Sequence, residues 1–469
     1  MKRRFFLSRM ALLAGGLLTG GVAAIADTYK GKKIKGEVTD GKRGIAGVVV
    51  SDGYSVVKTD KHGVFEISLH KDARFVFVST PSGYAFPEEN KIARHYLKAG
   101  KSGDFRFQLQ KLDRNDKNHQ FIIWADTQPK TAADMKRMVA ETIPDVKKVL
   151  AEMPAGTLVH GITVGDIVWD SHNLYPDYCR AVKEVDIPFF QCIGNHDMDL
   201  DQGGDEESDR TFNKWFGPTH YSFNRGDVHY VVLDDVRYLG EGKKYDGYIT
   251  ENQLEWLKKD LEFVPKDKLL IICAHIPILR GVKNNEALLE ITRGYKLHIM
   301  TGHTHVNYNT IEGEIFEHNH GTVCGALWTG PICGDGTPNG YAVYEVRGTE
   351  LSWYYKSTGK PKNHQFVLYL ENTPEGTKNV LANVWNYDPK WKVECWIDGK
   401  PAGEMVRGHG FDPESVVLYE GKELPKNRGF VDPKKTEHLF RTPIGENAKE
   451  AKVVVTDRFG NVYSSTLKL

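Results

Sequence analysis

Five short apolar runs in the middle of the chain each end in a cluster of Asp, Asn, His or Gly. This recurrence limits the fold more than any other feature. Ile122-Ile123-Trp124-Ala125 runs into Asp126-Thr127-Gln128, and Ile162-Thr163-Val164 into Gly165-Asp166, with Asp170 slightly beyond. Phe189-Phe190-Gln191-Cys192-Ile193 leads to Gly194-Asn195-His196-Asp197. Ile271-Ile272-Cys273-Ala274 leads to His275, and the run from Leu297 to Met300 leads to Gly302-His303-Thr304-His305. Apolar runs of this length, alternating with helical patterns, read as the buried strands of an α/β fold. One such pattern is Met135, Met138, Val139, Val146, Val149 and Leu150, interrupted at Pro144. Another follows Thr250-x-x-Gln253, which reads as a capping box ahead of Leu254, Leu257, Leu261 and Val264.

In open α/β sheets ligands bind beyond the carboxyl ends of the strands, so clusters far apart in sequence converge there. Asp, Asn and His are the ligands of borderline divalent metals such as Zn, Fe and Mn. Glycines precede three of the clusters, where the backbone has to turn sharply. Each cluster alone is weak: an Asp at a strand end is commonly a turn former, and a lone His is commonly a core or surface residue. Five in order, each at a strand end, point to one polyvalent metal site.

These residues resemble the calcineurin-like metallophosphoesterase superfamily, whose pattern is D-x-H, G-D-x-x-D, G-N-H-[DE], H, G-H-x-H. The resemblance covers roughly Gln120 to Arg347, and Tyr221-Ser222-Phe223 to Leu233-Asp234 is similar to the hairpin that many members carry between the third and fourth patterns. It implies a four-layer αββα sandwich and a dinuclear phosphoric ester hydrolase using two divalent or trivalent ions, Mn, Fe or Zn. Asp126, Asp166 and His305 would hold one ion, and Asp166, Asn195, His275 and His303 the other. A hydroxide between them would attack phosphorus in line, with His196 giving a hydrogen bond or a proton to the departing oxygen. Two positions depart from the pattern. Gln128 stands where the family usually has His, so it is either a weak neutral ligand or none. The second Asp of the second pattern comes one residue late, so either Asp170 or Asp197 would orient His196, and Trp169 changes the pocket wall.

The flanks read as β. Short strand-like runs at 48–50, 64–67 and 74–78, punctuated by Asp-Gly and His-Gly, suggest a small β-sandwich over 32–112. Gly36-Glu37-Val38, Ile45 to Val50 and Thr59-Asp60-Lys61-His62-Gly63-Val64-Phe65 resemble the transthyretin-like or carboxypeptidase-regulatory-like modules of exported bacterial proteins. Residues 112–119 read as a linker, 118–347 as the phosphoesterase domain and 362–469 as a mostly-β domain with a turn at Tyr419-Glu420-Gly421. Asp335 to Tyr341 reads either as a loop reaching the site or as a surface turn. Trp328, Trp385, Trp391 and Trp396 read as core or interface residues, with stacking on a sugar or base as the alternative.

Lys2, Arg3, Arg4 and Arg9, an apolar stretch to Ile25 and Ala24-Ile25-Ala26 read as a signal peptide over 1–26, so export to the periplasm or beyond is expected. Arg3-Arg4-Phe5-Phe6-Leu7 resembles a twin-arginine signal, with an ordinary Sec signal as the alternative. The apolar stretch is too short for a stable membrane anchor. Lys+Arg and Asp+Glu both count 62, which gives no basic stripe for nucleic acid. Cys324 and Cys333 are close enough in sequence to pair, or else are two thiols. The expected function is hydrolysis of a small-molecule or envelope-derived phosphate ester, monoester or diester. The alternative is an inactive envelope- or glycan-binding protein that works through its β domains.

Overall fold

The computed structural model describes residues 31–100, 104–374, 376–425 and 431–469. The expected signal peptide, with its arginine pair and Ala24-Ile25-Ala26, lies outside them. Two sheets pack face to face at the centre. The first runs Glu350–Ser357, Gly340–Arg347, Asn118–Trp124, Val159–Val164, Phe189–Cys192, Ile92–Ala93, Glu88–Glu89. The second runs Tyr221–Arg225, Val228–Val232, Leu269–Cys273, Lys296–Thr301, Ile315–Asn319, Tyr308–Glu312. Strand periodicity sets the layers. Phe121 and Ile123 point into the core between the sheets, while Ile122 and Trp124 point out against the helices Ile143–Glu152 and Tyr175–Val185. The helices Glu251–Leu261 and Asn285–Ile291 join the second sheet's core through Leu254, Leu257 and Leu288. The architecture is the four-layer sandwich, and the strands carrying the polar clusters are parallel within each sheet, so their carboxyl ends lie together.

Two local readings are corrected. Pro144 falls in the first turn of a second α-helical segment, and the interruption ahead of it is a π-helical turn rather than a break. Ala132–Arg137 passes through a π-helical turn, Met138–Thr142, into Ile143–Glu152, and the widened turn accommodates a residue without an N–H. The capping box at Thr250 does not form. Thr250 occupies the N-cap without a side-chain cap bond: Gln253 clamps the backbone of Asp234, accepting from its N–H at 3.0 Å and donating to its carbonyl at 2.9 Å, and meets Thr250 only at the hydroxyl, to which its Nε2 donates at 3.3 Å.

The N-terminal domain is a sandwich of a three-stranded and a four-stranded sheet, with its own core of Val38, Val50, Phe65, Ile67, Val76 and Phe107. A loop of this domain leaves the sandwich, and its two short strands extend the first central sheet, Ile92 pairing in parallel with Phe189. The C-terminal domain holds two four-stranded sheets. Tyr419-Glu420 is not a turn but the end of the helix Pro413–Glu420, which Asp412 caps by accepting from the Ser415 N–H at 2.9 Å, with Pro413 in the first turn.

Asp335 is neither exposed nor at the site. It is buried at the joint with the C-terminal domain, 3.1 Å from His438, and its carbonyl accepts from Asn383. Trp328, Trp385 and Trp391 are buried and Trp396 is half-buried, which leaves three of the four no face to offer a sugar. Cys324 and Cys333 are free thiols that both lie against the Thr322 hydroxyl. Among the described residues no helix is long and apolar enough to cross a membrane.

A buried ion pair ties the outer helix to the sheet beneath the site. Asp145 accepts from Lys356 at 2.7 Å and from the Tyr341 hydroxyl at 2.8 Å, and the two charged side chains are 8% and 5% exposed. Asp145→Ala leaves a buried ammonium unpaired and is expected to lower stability by about 3–5 kcal/mol in a urea titration. A loss below about 1 kcal/mol would mean that water reaches Lys356.

Candidate functional site

The polar clusters turn over at the strand ends in a left-handed conformation. Asp126, Gln128, Asp166, Asp170, His303 and His305 have φ between 42° and 69°, a region that side-chain-bearing residues enter at some cost. The bend lets side chains two or more residues apart face one point. It is braced from behind by two carboxylates. Asp197 accepts from the N–H groups of Ile167, Val168 and Gly194 and from the Tyr175 hydroxyl. Asp235 accepts from the N–H groups of His275 and Ile276. Burial, with Asp166 nearby, pushes the Asp197 carboxyl up to about 7, and burial raises Asp235 to about 6.

The glycines serve space as much as turning. A Cβ at Gly165 would stand 2.3 Å from His275 Nδ1, one at Gly194 2.1 Å from the Asp166 nitrogen, and one at Gly302 2.4 Å from Asp126 Oδ2. Only Gly165 of the three has a positive φ, +85°.

The structure brings every candidate residue to one place. Asp166 is the hub: its carboxylate lies 3.3 Å from His275 Nε2 and accepts from the His196 N–H at 2.8 Å and from Gln128 Nε2 at 2.9 Å. His275 Nε2 also lies 3.1 Å from Asn195 Oδ1 and from His303 Nδ1. On the other side His305 Nε2 is 3.4 Å from Asp126 Oδ1, a buried oxygen that accepts no hydrogen bond, while Asp126 Oδ2 accepts from the His303 N–H. Gln128 turns its amide nitrogen to Asp166 and its oxygen to the Cys324 thiol at 3.7 Å.

This arrangement fits metal ions. Ligand atoms of Asp166, His275 and His303 lie within 4.8 Å of one another. His275 Nδ1 donates to the Val164 carbonyl at 2.9 Å and His305 Nδ1 to the Gly325 carbonyl at 2.8 Å, so both rings present Nε2 inward, as metal-binding histidines do. The electrostatics call for positive charge at the centre. Burial disfavours a charged His275, yet Asp166 and Asp126 outweigh it and raise the ring to about 10. Burial and His275 together push His303 down to about 4. Burial works against the Asp166 charge, but His275 and His196 hold its carboxyl below the usual range.

The alternative for His196 is resolved in geometry. His196 Nδ1 lies 2.8 Å from Asp170 Oδ1, and Asp170 also pairs with Lys243; the Asp197 carboxylate instead accepts from the Ile167, Val168 and Gly194 N–H groups and the Tyr175 hydroxyl. Backbone pairing sets this up, since the Asp170 N–H donates to the His196 carbonyl at 3.0 Å. Trp169 lies against the His196 ring, centroids 4.5 Å apart. His196 and Trp169 line a cavity of about 230 Å³ with Asp166, Asn195, His303, His305, Tyr245 and Lys434.

Sequence reasoning missed Asp235, Lys243, Tyr245 and Cys324. Asp235 alone carried a signal, standing just past the apolar run Val228 to Leu233, in the position the other clusters hold.

Residues 119–307 match the family model described as calcineurin-like phosphoesterase. Residues 32–112 and 317–463 match the models described as the N terminal and C terminal of calcineurin-like phosphoesterase. A curated relative from Arcobacter nitrofigilis, named probable glycerophosphodiester phosphodiesterase GpdQ, is 28% identical over 175 residues, or 33% of this chain; the chain spans 59% of that relative's length. Among solved structures, a dimetal phosphatase from Danio rerio aligns at 12% identity over 51% of this chain and 96% of its own, TM-score 0.38. A purple acid phosphatase from yellow lupin (Lupinus luteus) seeds aligns at 12% identity over 66% of this chain and 67% of its own, TM-score 0.39.

Asp166→Ala is expected to reduce bound metal to background by elemental analysis, because the carboxylate at the hub faces both halves of the site. Gly302→Ala drives a methyl into Asp126 and is expected to lose at least half of the metal. Full occupancy in Asp166→Ala would exclude it as a shared ligand.

Proposed function

The chain belongs to the calcineurin-like phosphoesterases, and on that premise we propose that it hydrolyses a small or envelope-derived phosphate ester outside the cytoplasm, with two metal ions of the Mn, Fe or Zn kind. Asp126, Asp166 and His305 would hold one ion, with Gln128 at its edge, and Asp166, Asn195, His275 and His303 the other. Two such ions supply an activated water and stabilise the charge on the attacking and leaving oxygens.

The chain's own residues do the rest. Asp166 spans the two halves of the site, and the clamp of Asp197 on the turn at 166–168 keeps it there. His196 is the proposed general acid. Its Nδ1 is committed to Asp170, which leaves Nε2 to carry a proton to the departing oxygen. Burial disfavours the imidazolium, but Asp166 and the bond to Asp170 prevail and hold His196 above its ordinary pKa, so the acid form persists to higher pH. The carrying observation is that His196, paired with Asp170 from behind, opens onto the same cavity as Asp166, Asn195, His303 and His305. The cavity volume is below the ~300–1,000 Å³ of sites for drug-sized ligands, which favours a compact ester. The likeness to a relative named as a phosphodiesterase makes diesters the first substrates to try. Export rests on the basic, apolar start of the chain.

The direct test is turnover of p-nitrophenyl phosphate and bis-p-nitrophenyl phosphate by the metal-loaded chain, the faster one marking monoester or diester chemistry. His196→Ala is expected to keep its metal and lose about 10²–10⁴-fold in kcat; unchanged turnover would remove it from the mechanism. The activity of the parent enzyme should fall as pH rises through the His196 pKa. Asp170→Asn, which removes a group that raises that pKa, should move this alkaline limb to lower pH. A limb that stays in place would assign it to another group.

A further inference from the structure

The cavity has two unlike walls. One is the polar set already described. The other is built jointly by two domains, from Ala326, Leu327 and Gly334 in the catalytic domain and from Val431, Asp432 and Lys434 in the C-terminal domain. Val431 belongs to a small buried cluster with Ala326, Ile332 and Tyr419, against which Leu327 and Leu418 pack. This cluster is the seam between the loop after Thr322 and the helix Pro413–Glu420, fastened by the Tyr419 hydroxyl donating to the Ile332 carbonyl.

Lys434 is anchored at both ends. Its N–H donates to the Gly334 carbonyl at 2.8 Å, and its ammonium donates to the carbonyl of Thr304, the residue between His303 and His305. The approach is close enough to require glycine: a Cβ at Gly334 would lie 2.6 Å from the Asp432 carbonyl and 3.0 Å from Lys434 Cγ. Four residues on, His438 makes the buried pair with Asp335 that holds this stretch to the catalytic domain.

We propose that this wall is the subsite for the alcohol half of the ester, and that Val431 and Lys434 make the C-terminal domain a determinant of specificity. The inference rests on the phosphoester reading above. A phosphoryl group whose departing oxygen meets His196 Nε2 leaves its alcohol in the remainder of the same cavity, which this wall lines. Leu327 and Val431 offer that alcohol an apolar face, and Lys434 offers a cation at its end. The class so defined is a compact alcohol with a short apolar body and a terminal anionic group.

The test uses the metal-loaded full chain with methyl phosphate, phenyl phosphate and 4-carboxyphenyl phosphate. Val431→Ser should lower the kcat/KM ratio of phenyl over methyl phosphate about tenfold, and Lys434→Met the ratio of 4-carboxyphenyl over phenyl phosphate by a similar factor. Metal content is measured alongside, and calorimetric binding of the corresponding phosphonates gives the same ratios without turnover. Binding ratios that shift as stated in a chain that hydrolyses none of the esters would support the subsite while sinking the hydrolase reading. Ratios that hold within twofold in both variants, or losses equal for all three ligands, would overturn the subsite.

Discussion

Two sheets whose parallel strands end on a common edge leave a line of turns where backbone groups are cut off from water, and the polar side chains there have to satisfy them. Burying an unpaired N–H or a lone charge costs on the order of 1–3 kcal/mol or more, so the edge forms only as a connected network. Three buried aspartates do this work. Asp197 gathers three N–H groups and a phenol, Asp235 gathers two N–H groups, and Asp166 takes an N–H from the turn at His196 while its other contacts face inward. Asp166 is thus held by the network while facing the cation site, Asp197 is fully committed to structure, and Asp235 spends Oδ1 on both N–H groups and keeps a buried, unpaired Oδ2. The same residue type serves as brace or as candidate ligand according to the groups packed around it.

The histidines divide in the same way. Burial pushes His119 and His298 down to about 3 and His320 to about 4, and these neutral rings fill the space between the sheets, hydrogen-bonded to Tyr230, His318 and Tyr344 respectively. His275 is equally buried, yet two carboxylates draw it up to about 10. Burial alone does not distinguish a core histidine from His275, whereas the charge around it does; His303, held down to about 4, is set apart from His320 by its place beside His275 instead.

The strand-end clusters were legible because each is a local pattern, an apolar run followed by Gly, Asp, Asn or His, and the parallel sheets assemble such patterns at one edge. What could not be read depends on partners far away in the chain. The choice between Asp170 and Asp197 follows from a backbone bond between Asp170 and His196. The missing capping box follows from Asp234 lying within reach of Gln253. The C-terminal wall of the cavity joins residues more than a hundred positions apart, with no periodicity to announce it. Pro144 was read by its usual effect on a regular helix, and a π-helical turn is a response to strain that composition does not encode.

The pair of short strands that the N-terminal domain inserts beside Phe189 bears on how the molecule comes into being. An open edge at that strand would be an invitation to intermolecular pairing. During synthesis the N-terminal domain, with Ile92 in it, leaves the ribosome before Asn118–Trp124 and the strands that follow, so Ile92 has been made by the time Phe189 emerges. The edge is closed by a segment made earlier and never has to wait for one made later. The segment Glu88 to Ala93 thus ties the N-terminal domain to the central sheet, and the boundary of that sheet as a structural unit lies upstream of its first polar cluster.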